Sequence, residues 1–209
     1  MTRDLVTLLC CPDCRSELDL EDAAPAEHAS DVVERGALVC RGCRKQFPIE
    51  RGIPRFVASD GYVESFSYQW NRWPRVQLDI ANGGHVSEET FALKSGFTRT
   101  DLKDRLVLDV GCGAGRFLDV ASRWGARVVG VDYSFAVDAA QRNVGLRPNV
   151  NIVQADVFHL PFRTGVFDVV YSLGVLHHTR DTREAFLALP PLIRDGGQLA
   201  VWLYYYADP

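Results

Sequence analysis

The sequence predicts an α/β protein in which a doubly wound parallel sheet follows a small cysteine-containing domain. The first observation is an alternation of apolar, strand-like runs and helical segments over residues 106–204. The second is a turn with three glycines, Gly111, Gly113 and Gly115. The third is the placement of five of the six cysteines within the first 43 residues. These observations divide the chain into residues 1–57, a connector at 58–95 and an α/β domain at 96–209.

The composition restricts the expected class of partner. The chain has 209 residues, a formal net charge of −4 and 47% hydrophobic residues, which fits one medium and one small domain. The acidic balance favours a small molecule over nucleic acid as the partner. The first apolar run ends at Cys11 and is too short for a signal peptide or a membrane span. We therefore expect a cytoplasmic protein with reduced cysteines.

Four cysteines in two C-x-x-C pairs predict a structural zinc site. They are Cys11, Cys14, Cys40 and Cys43. Each pair can direct two thiolates at one ion, which gives a closed tetrahedral site without a free nucleophile. Cys10 could replace Cys11, although Pro12 favours Cys11 because proline pre-sets the tight turn. Two disulfides or four free thiols are the alternatives.

Short apolar runs at 18–20 and 37–39 predict strands around this metal site, and residues 47–49 and 52–56 are expected to form a proline-punctuated exit from the domain. The acidic segment at 21–34 separates the first two runs and is expected to be a surface loop or hairpin tip. His28 lies in this segment and is expected to be a solvated residue rather than a ligand. A domain this small buries little apolar surface, so the metal should supply much of its stability.

The connector at 58–95 contains a cluster of aromatic residues. They are Tyr62, Phe66, Tyr68, Trp70 and Trp73. Packing at the domain junction and a lid over a ligand both agree with this cluster. Residues 87–94 then predict a short helix with Ser87 as its N-cap and acidic residues in its first turn.

A buried strand, a glycine turn and the start of a helix occupy residues 106–117. The glycines follow G-x-G-x-G, whereas the dinucleotide fold uses G-x-G-x-x-G. Arg116 occupies the position where the dinucleotide pattern requires its last small residue. Asp109 ends the strand, where it would repel a pyrophosphate and attract a cation. The turn allows a ligand to approach the backbone closely. The pattern disfavours a nicotinamide dinucleotide and an oxidoreductase.

The alternation continues in order after the first helix, expected at 116–124. Strands are expected at 127–131, 149–155, 167–172 and 198–204, and helices at 134–143 and 181–189. Asp138 is expected to face solvent. Asp109, Asp132 and Asp156 end three successive strands, at the edge where open α/β sheets bind ligands. A helix cap is the alternative role for any one of them.

Residues 106–204 resemble the class I S-adenosylmethionine (SAM) methyltransferases, from LDVGCGAG to YSLGVLHHT. The resemblance implies a Rossmann-like sheet and SAM as cofactor. Asp109 would support the ammonium group of SAM, Asp132 would accept both ribose hydroxyls, and Asp156 with the Val157 N–H would bind the adenine edge. The cofactor-binding set that it implies comprises Asp109, Gly111, Cys112, Gly113, Asp132, Tyr133, Asp156, Val157, Ser172 and Leu173.

The segment YSLGVLHHT is similar to that of methyltransferases acting on small molecules such as quinone precursors. We therefore expect methyl transfer to an O, N or C nucleophile of a small molecule. The leaving group is a neutral thioether, so positioning and desolvation can supply most of the catalysis. His177 and His178 are the candidate bases for a nucleophile that must lose a proton. Surface or helix-start positions are their alternative roles.

Residues 5–57 resemble the Trm112-like zinc-ribbon family in both cysteine pairs and in the ending FPIERGIPRF. That family includes small activators of methyltransferases, so the resemblance implies zinc and a protein partner. A SAM-binding regulatory or scaffold module, and an RNA methyltransferase with a zinc recognition domain, remain alternative functions. The last two strands of the class I fold are missing, so we expect this sequence to be part of a longer chain.

Overall fold

A computed structural model describes residues 1–22, 31–57, 78–79 and 83–204. These residues form a four-stranded sheet and a five-stranded sheet. His28 and the five connector aromatic residues lie outside the described ranges, so the predictions about them stay predictions.

The first sheet is an antiparallel meander. A 3-10 helix at Arg3–Leu8 precedes it. Leu18 pairs with Cys40 and Leu38 pairs with Phe47 across the strands. The two predicted strands are therefore present, each longer than expected, whereas residues 47–49, expected as an exit segment, form a third strand that pairs with the second. The strands are β1 (Leu18–Asp22), β2 (Arg35–Cys40), β3 (Gln46–Glu50) and β4 (Ile53–Pro54).

Two helices, α1 (Val86–Ser95) and α2 (Arg99–Leu102), precede the second sheet. The prediction of a helix at 87–94 is confirmed, but Ser87 is not its N-cap. Asp79 accepts the N–H groups of Ser87 and Glu88 at 2.8 and 2.9 Å. A carboxylate suits the positive end of a helix better than a hydroxyl does. Asp79 lies too far upstream for a local capping pattern to identify it.

The second sheet contains five parallel strands in the order β7-β6-β5-β8-β9, which confirms the doubly wound prediction. The chain runs outward from β5 to β7 and then returns to the other side of β5, so the strand order reverses between β5 and β8. Ligands bind at such a reversal in open α/β sheets. The strands are β5 (Leu106–Val110), β6 (Arg127–Asp132), β7 (Val150–Gln154), β8 (Phe167–Leu173) and β9 (Ile193–Trp202). The helices after β5, β6 and β8 are α3 (Arg116–Arg123), α4 (Ala136–Asn143) and α5 (Thr182–Leu187).

The largest boundary error concerns β9, which begins at Ile193 rather than at residue 198. Gly196 and Gly197 lie inside this strand, where the register against β8 shifts. A Cβ atom on Gly197 would lie 2.7 Å from the Asp168 carbonyl oxygen. The glycine therefore marks a close approach of two strands rather than a loop.

Arg55 joins the two sheets and is only 6% exposed. Its guanidinium donates to Gln154 Oε1 at 2.6 Å and to Asp138 Oδ1 at 2.7 Å, and it lies over the Phe135 ring. The Asp138 side chain is 13% exposed, so the expectation that it faces solvent is wrong. Helical periodicity within α4 cannot reveal a partner that comes from another domain.

One hydrophobic core spans both domains and includes Leu9, Leu38, Val131 and Phe162. Leu9 also forms an antiparallel bridge with Phe162. Because the first domain shares this core, its apolar residues are buried without a large core of their own. Among the described residues, we find no helix whose length and hydropathy would let it span a membrane.

Candidate functional site

A cavity of about 290 Å³ opens at the carboxyl ends of the strands beside the order reversal. This volume is near the lower end of the range for small-molecule sites. Asp109 and Ser172 do not line the cavity. The predicted residues that do line it are Gly111, Cys112, Gly113, Asp132, Tyr133, Asp156, Val157 and Leu173.

Gly111 lines the cavity directly after β5. Its φ is +84°, and a Cβ atom at this position would collide with the Val175 side chain. Only glycine combines this backbone conformation with so close a neighbour. The N–H groups of Gly111 and Cys112 both donate to the Val131 carbonyl, at 2.8 and 3.1 Å. The glycine turn is thereby fixed to β6, the strand that ends in Asp132.

Asp132 lies in the cavity wall with its carboxylate oriented by its neighbours. Its Oδ2 accepts the Gly113 N–H at 2.8 Å, and its Oδ1 accepts the N–H and hydroxyl of Ser134 at 2.9 and 2.7 Å. Burial raises the pKa of Asp132, and these hydrogen bonds oppose that shift. The Ser134 hydroxyl can rotate, so a ligand hydroxyl can take its place. Asp132 can thus orient the loop and also bind a ligand.

Asp156 follows β7 and also lines the cavity. Its Oδ1 accepts the Phe158 N–H at 3.0 Å, which caps the 3-10 helix at Val157–His159. The second strand-end carboxylate therefore has a structural role beside its place in the cavity wall.

Asp109 lies behind the cavity and is 2% exposed. Burial, together with the negative charge of Asp132, raises its pKa to about 8. Tyr171 faces it across β5 and β8 and opposes the shift. Asp109 Oδ2 and the Tyr171 hydroxyl nevertheless form no hydrogen bond of standard geometry within the described part of the chain. Ser172 is also buried and donates its hydroxyl to the Val110 carbonyl at 2.9 Å.

The two candidate bases occupy different environments. His178 lines the cavity and is exposed, whereas His177 does not line it. His177 packs against Tyr204 with 4.5 Å between ring centroids, and burial lowers its pKa. Both His177 ring nitrogens are buried without a hydrogen-bond partner among residues that the structure describes. Only His178 of the pair is placed to exchange a proton with a molecule in the cavity.

Local sequence patterns did not predict the cationic wall of the cavity, which consists of Lys94 on α1 and Arg116 at the start of α3. In the sequence, Arg116 indicated only that the glycine turn departs from the G-x-G-x-x-G pattern of the dinucleotide fold. Lys94 gave no signal because a lysine near a helix C-terminus is usually a solvated dipole partner. Tyr204 also lines the cavity, although its position after the last strand gives no indication of this.

The four cysteines of the two C-x-x-C pairs converge, with all four sulfur atoms within 4.8 Å of one another. The Cys11 and Cys43 Sγ atoms are 3.7 Å apart, and those of Cys14 and Cys40 are 3.3 Å apart. Such spacing suits one ion bound about 2.3 Å from each sulfur. Cys10 is not in this cluster, and its N–H donates to the Pro161 carbonyl at 2.9 Å. The geometry therefore favours Cys11 over Cys10.

Comparisons with known proteins agree with this architecture. A family model described as a methyltransferase domain matches residues 108–201, and a Trm112p-like model matches residues 2–52. The fold and the cavity thus define a Rossmann-like domain of the methyltransferase class. The chain joins a Trm112p-like domain to this methyltransferase domain.

Solved structures share the fold. One is a complex of the Haloferax volcanii Trm112 methyltransferase activator with a candidate methyltransferase, at a TM-score of 0.53 and 18% identity over 66% of this chain and 59% of that chain. Another is the PH0226 protein of Pyrococcus horikoshii, at a TM-score of 0.53 and 23% identity over 65% of each chain. At these identities the likeness concerns the fold alone.

Curated relatives match the methyltransferase domain. The tRNA U34 carboxymethyltransferase of Cellvibrio japonicus is 38% identical over 108 residues, which are 48% of this chain and 33% of that protein. A Mus musculus protein named "Probable tRNA methyltransferase 9B" is 34% identical over 102 residues, which are 47% of this chain and 22% of that protein. The matches therefore cover about a third or less of these relatives.

These names contradict the expectation that a small molecule is favoured over nucleic acid as the partner. That expectation relied on a net charge of −4 summed over the whole chain. A substrate meets the local charges around the cavity instead, and these include the cationic wall. Net charge is therefore a poor guide to the acceptor of this domain.

Proposed function

We propose that the chain is a SAM-dependent methyltransferase that acts on tRNA. The main support is the cavity at the strand-order reversal. It combines the Asp132 and Asp156 carboxylates with a backbone cradle at Gly111, where any side chain would collide with Val175. The tRNA acceptor is inferred from the names of the curated relatives. This acceptor also agrees with the expected cytoplasmic location.

The residues present fit SAM. The cradle at Gly111 has no room for a side chain, and the buried Asp109 carboxyl has an oxygen without a partner among the described residues. In this proposal the backbone at Gly111 and Gly113 holds the amino-acid part, with Asp109 acting on its ammonium from behind. Asp132 binds the ribose, and Asp156 with Val157 binds the adenine edge.

SAM, when bound, supplies an electrophilic methyl group on a sulfonium centre whose displacement releases a neutral thioether. No protein group needs to protonate that leaving group. The apolar side chains of Val131, Ala155 and Leu160 line the cavity and exclude water. His178 is the residue placed to accept a proton if the acceptor loses one.

We also infer a structural zinc ion bound by the cysteine cluster. Four convergent thiolates form the donor set of a closed zinc site, and all four positions are filled by protein. The ion would stabilise the Trm112p-like domain and take no part in transfer.

Mass spectrometry of tRNA nucleosides tests the proposed function. Unmodified tRNA is incubated with the chain and SAM, and a nucleoside that gains one methyl group is expected. The Asp132→Ala variant should modify less than about one tenth as much tRNA in the same time. If the wild-type chain binds SAM but modifies neither tRNA nor another RNA, the methyltransferase proposal gives way to that of a SAM-binding module.

A further inference from the structure

Arg116 in the cationic wall is oriented by neutral groups. Its Nε donates to Ser87 Oγ at 3.0 Å, and its Nη2 donates to Thr90 Oγ1 at 3.4 Å. Hydroxyl oxygens fix the direction of a guanidinium without cancelling its charge. No carboxylate within the described ranges forms an ion pair with Arg116. Partial burial lowers the pKa of Arg116, although its charge is retained.

Lys94 is held by aromatic rings rather than by an acid. Its Nζ lies 3.4 Å from the centroid of the Trp202 ring and 5.9 Å from that of Tyr204. A cation–π contact positions the ammonium group and leaves its charge intact. Burial lowers the pKa of Lys94, and the charge of Arg116 lowers it further. The two cations are thus close enough to repel each other.

Asp79 is the carboxylate whose charge acts most strongly on Arg116, but its oxygens are already engaged. They accept the first N–H groups of α1, and Arg123 lies 3.8 Å away. Partly buried charges are normally paired, because their lost hydration is otherwise uncompensated. Among the described residues, the cationic wall therefore lacks a paired anion, and a bound molecule could provide one.

We propose that Lys94 and Arg116 form an oxyanion-binding subsite within the cavity. The ligand group is a carboxylate or a phosphate, because a guanidinium fork beside an ammonium group matches either one. Its two sources are the carboxylate of the amino-acid part of SAM and a phosphate group of the acceptor RNA. This inference rests on the proposed function and adds the chemical group of the ligand that the two cations bind together.

Calorimetry with two nucleosides distinguishes the sources. S-adenosylhomocysteine carries the carboxylate, and 5′-methylthioadenosine has the same nucleoside and thioether without it. If the subsite takes the carboxylate, Lys94→Met and Arg116→Met should each weaken S-adenosylhomocysteine about tenfold to a hundredfold. Their affinity for methylthioadenosine should stay within about twofold of wild type. Lys103→Met removes one exposed positive charge after α2 and is the matched control, expected to resemble wild type.

If the subsite takes a phosphate, both variants should bind the two nucleosides as wild type does. Their tRNA affinity should fall instead, and its log–log salt dependence should decrease by about one for each lost contact. Unchanged affinities for S-adenosylhomocysteine and tRNA would overturn the subsite. An equal loss of affinity for both nucleosides would also overturn the subsite, because that pattern indicates disturbed folding. Failure of the wild-type chain to bind S-adenosylhomocysteine would instead reject the proposed function.

Discussion

Asp132 combines two roles that the sequence presents as alternatives. Its carboxylate orients the loop through Gly113 and Ser134, and it also lies in the wall of the cavity. An aspartate that orients a loop at the end of a strand can therefore also face a ligand cavity. The two roles can be separated by measuring stability and affinity on the same variant.

Asp132→Ala should weaken the binding of S-adenosylhomocysteine about tenfold to a few hundredfold. Two charge-assisted hydrogen bonds to the ribose are each worth about 1.5–3 kcal/mol, and water replaces them in part. Asp132→Asn should lie between wild type and alanine, because it keeps the shape and loses the charge. Calorimetry and a melting curve on each sample give both quantities.

Asp195→Ala is the control for Asp132, because Asp195 is exposed near the start of β9, outside the cavity lining. Its affinity for S-adenosylhomocysteine should stay within about twofold of wild type. If Asp132→Ala lowers the stability by about 1 kcal/mol and leaves the affinity unchanged, Asp132 only orients the loop through its hydrogen bonds to Gly113 and Ser134.

Asp109 should make stability depend on pH. Its native pKa of about 8 lies above the usual value of 3.8, so the native state holds a proton that the unfolded state releases. The free energy of unfolding should therefore fall as pH rises from about 4 to about 8. Asp109→Asn should flatten this fall, since asparagine does not titrate. Melting curves of both proteins across this pH range check it, and parallel profiles would contradict the burial of a protonated Asp109.

At the scale of elements, the two C-x-x-C turns should hold one zinc ion. Elemental analysis of the wild-type chain should give one zinc per chain, and a chelator should lower the melting temperature. Cys11→Ser should lose most of the metal, because its sulfur belongs to the cluster. Cys10→Ser should retain it and is the matched control. If Cys10→Ser loses the metal and Cys11→Ser retains it, Cys10 is the ligand in place of Cys11. A wild-type chain without metal would exclude the zinc site.

The junction between β4 and β7 depends on Arg55. Its guanidinium bonds Gln154 and Asp138, and Gln154 in turn donates to the Tyr133 carbonyl at 3.0 Å. The Trm112p-like domain thus supports the loop that follows Asp132. This connection couples the packing of the first domain to the loop beside the cavity.

Arg55→Ala should destabilise the protein by about 2–4 kcal/mol, because Gln154 loses its buried partner. Among the described residues, only the exposed Arg51 then remains beside the Asp138 carboxylate. A fall in melting temperature of roughly 10 °C is expected for a chain of this size. Arg51→Ala is the control, because Arg51 contacts the same Asp138 at 3.2 Å with a side chain that is 66% exposed. Its cost should be within about 0.5 kcal/mol. Equal effects of the two substitutions would contradict the role assigned to Arg55.

At the scale of the whole molecule, the sequence predicted what local patterns determine. Apolar runs predicted two of the four strands of the first sheet and all five strands of the second, and the strand-end carboxylates Asp132 and Asp156 do reach one cavity. The missed features all depend on contacts between distant segments. The Asp79 cap, the Arg55–Asp138 pair and the cationic wall each join residues whose own neighbours in sequence give no sign of the contact. The expectation that favoured a small molecule over nucleic acid was wrong because a summed charge does not report local charge.

The most direct test of the account is calorimetry of the wild-type chain with S-adenosylhomocysteine and, separately, with NAD. The cavity, its glycine cradle and its strand-end carboxylates should bind one S-adenosylhomocysteine per chain and no NAD, because a pyrophosphate would face the carboxylates. Tighter binding of NAD, or no binding of S-adenosylhomocysteine by a folded, zinc-loaded chain, would contradict the central claim that this cavity is a SAM site.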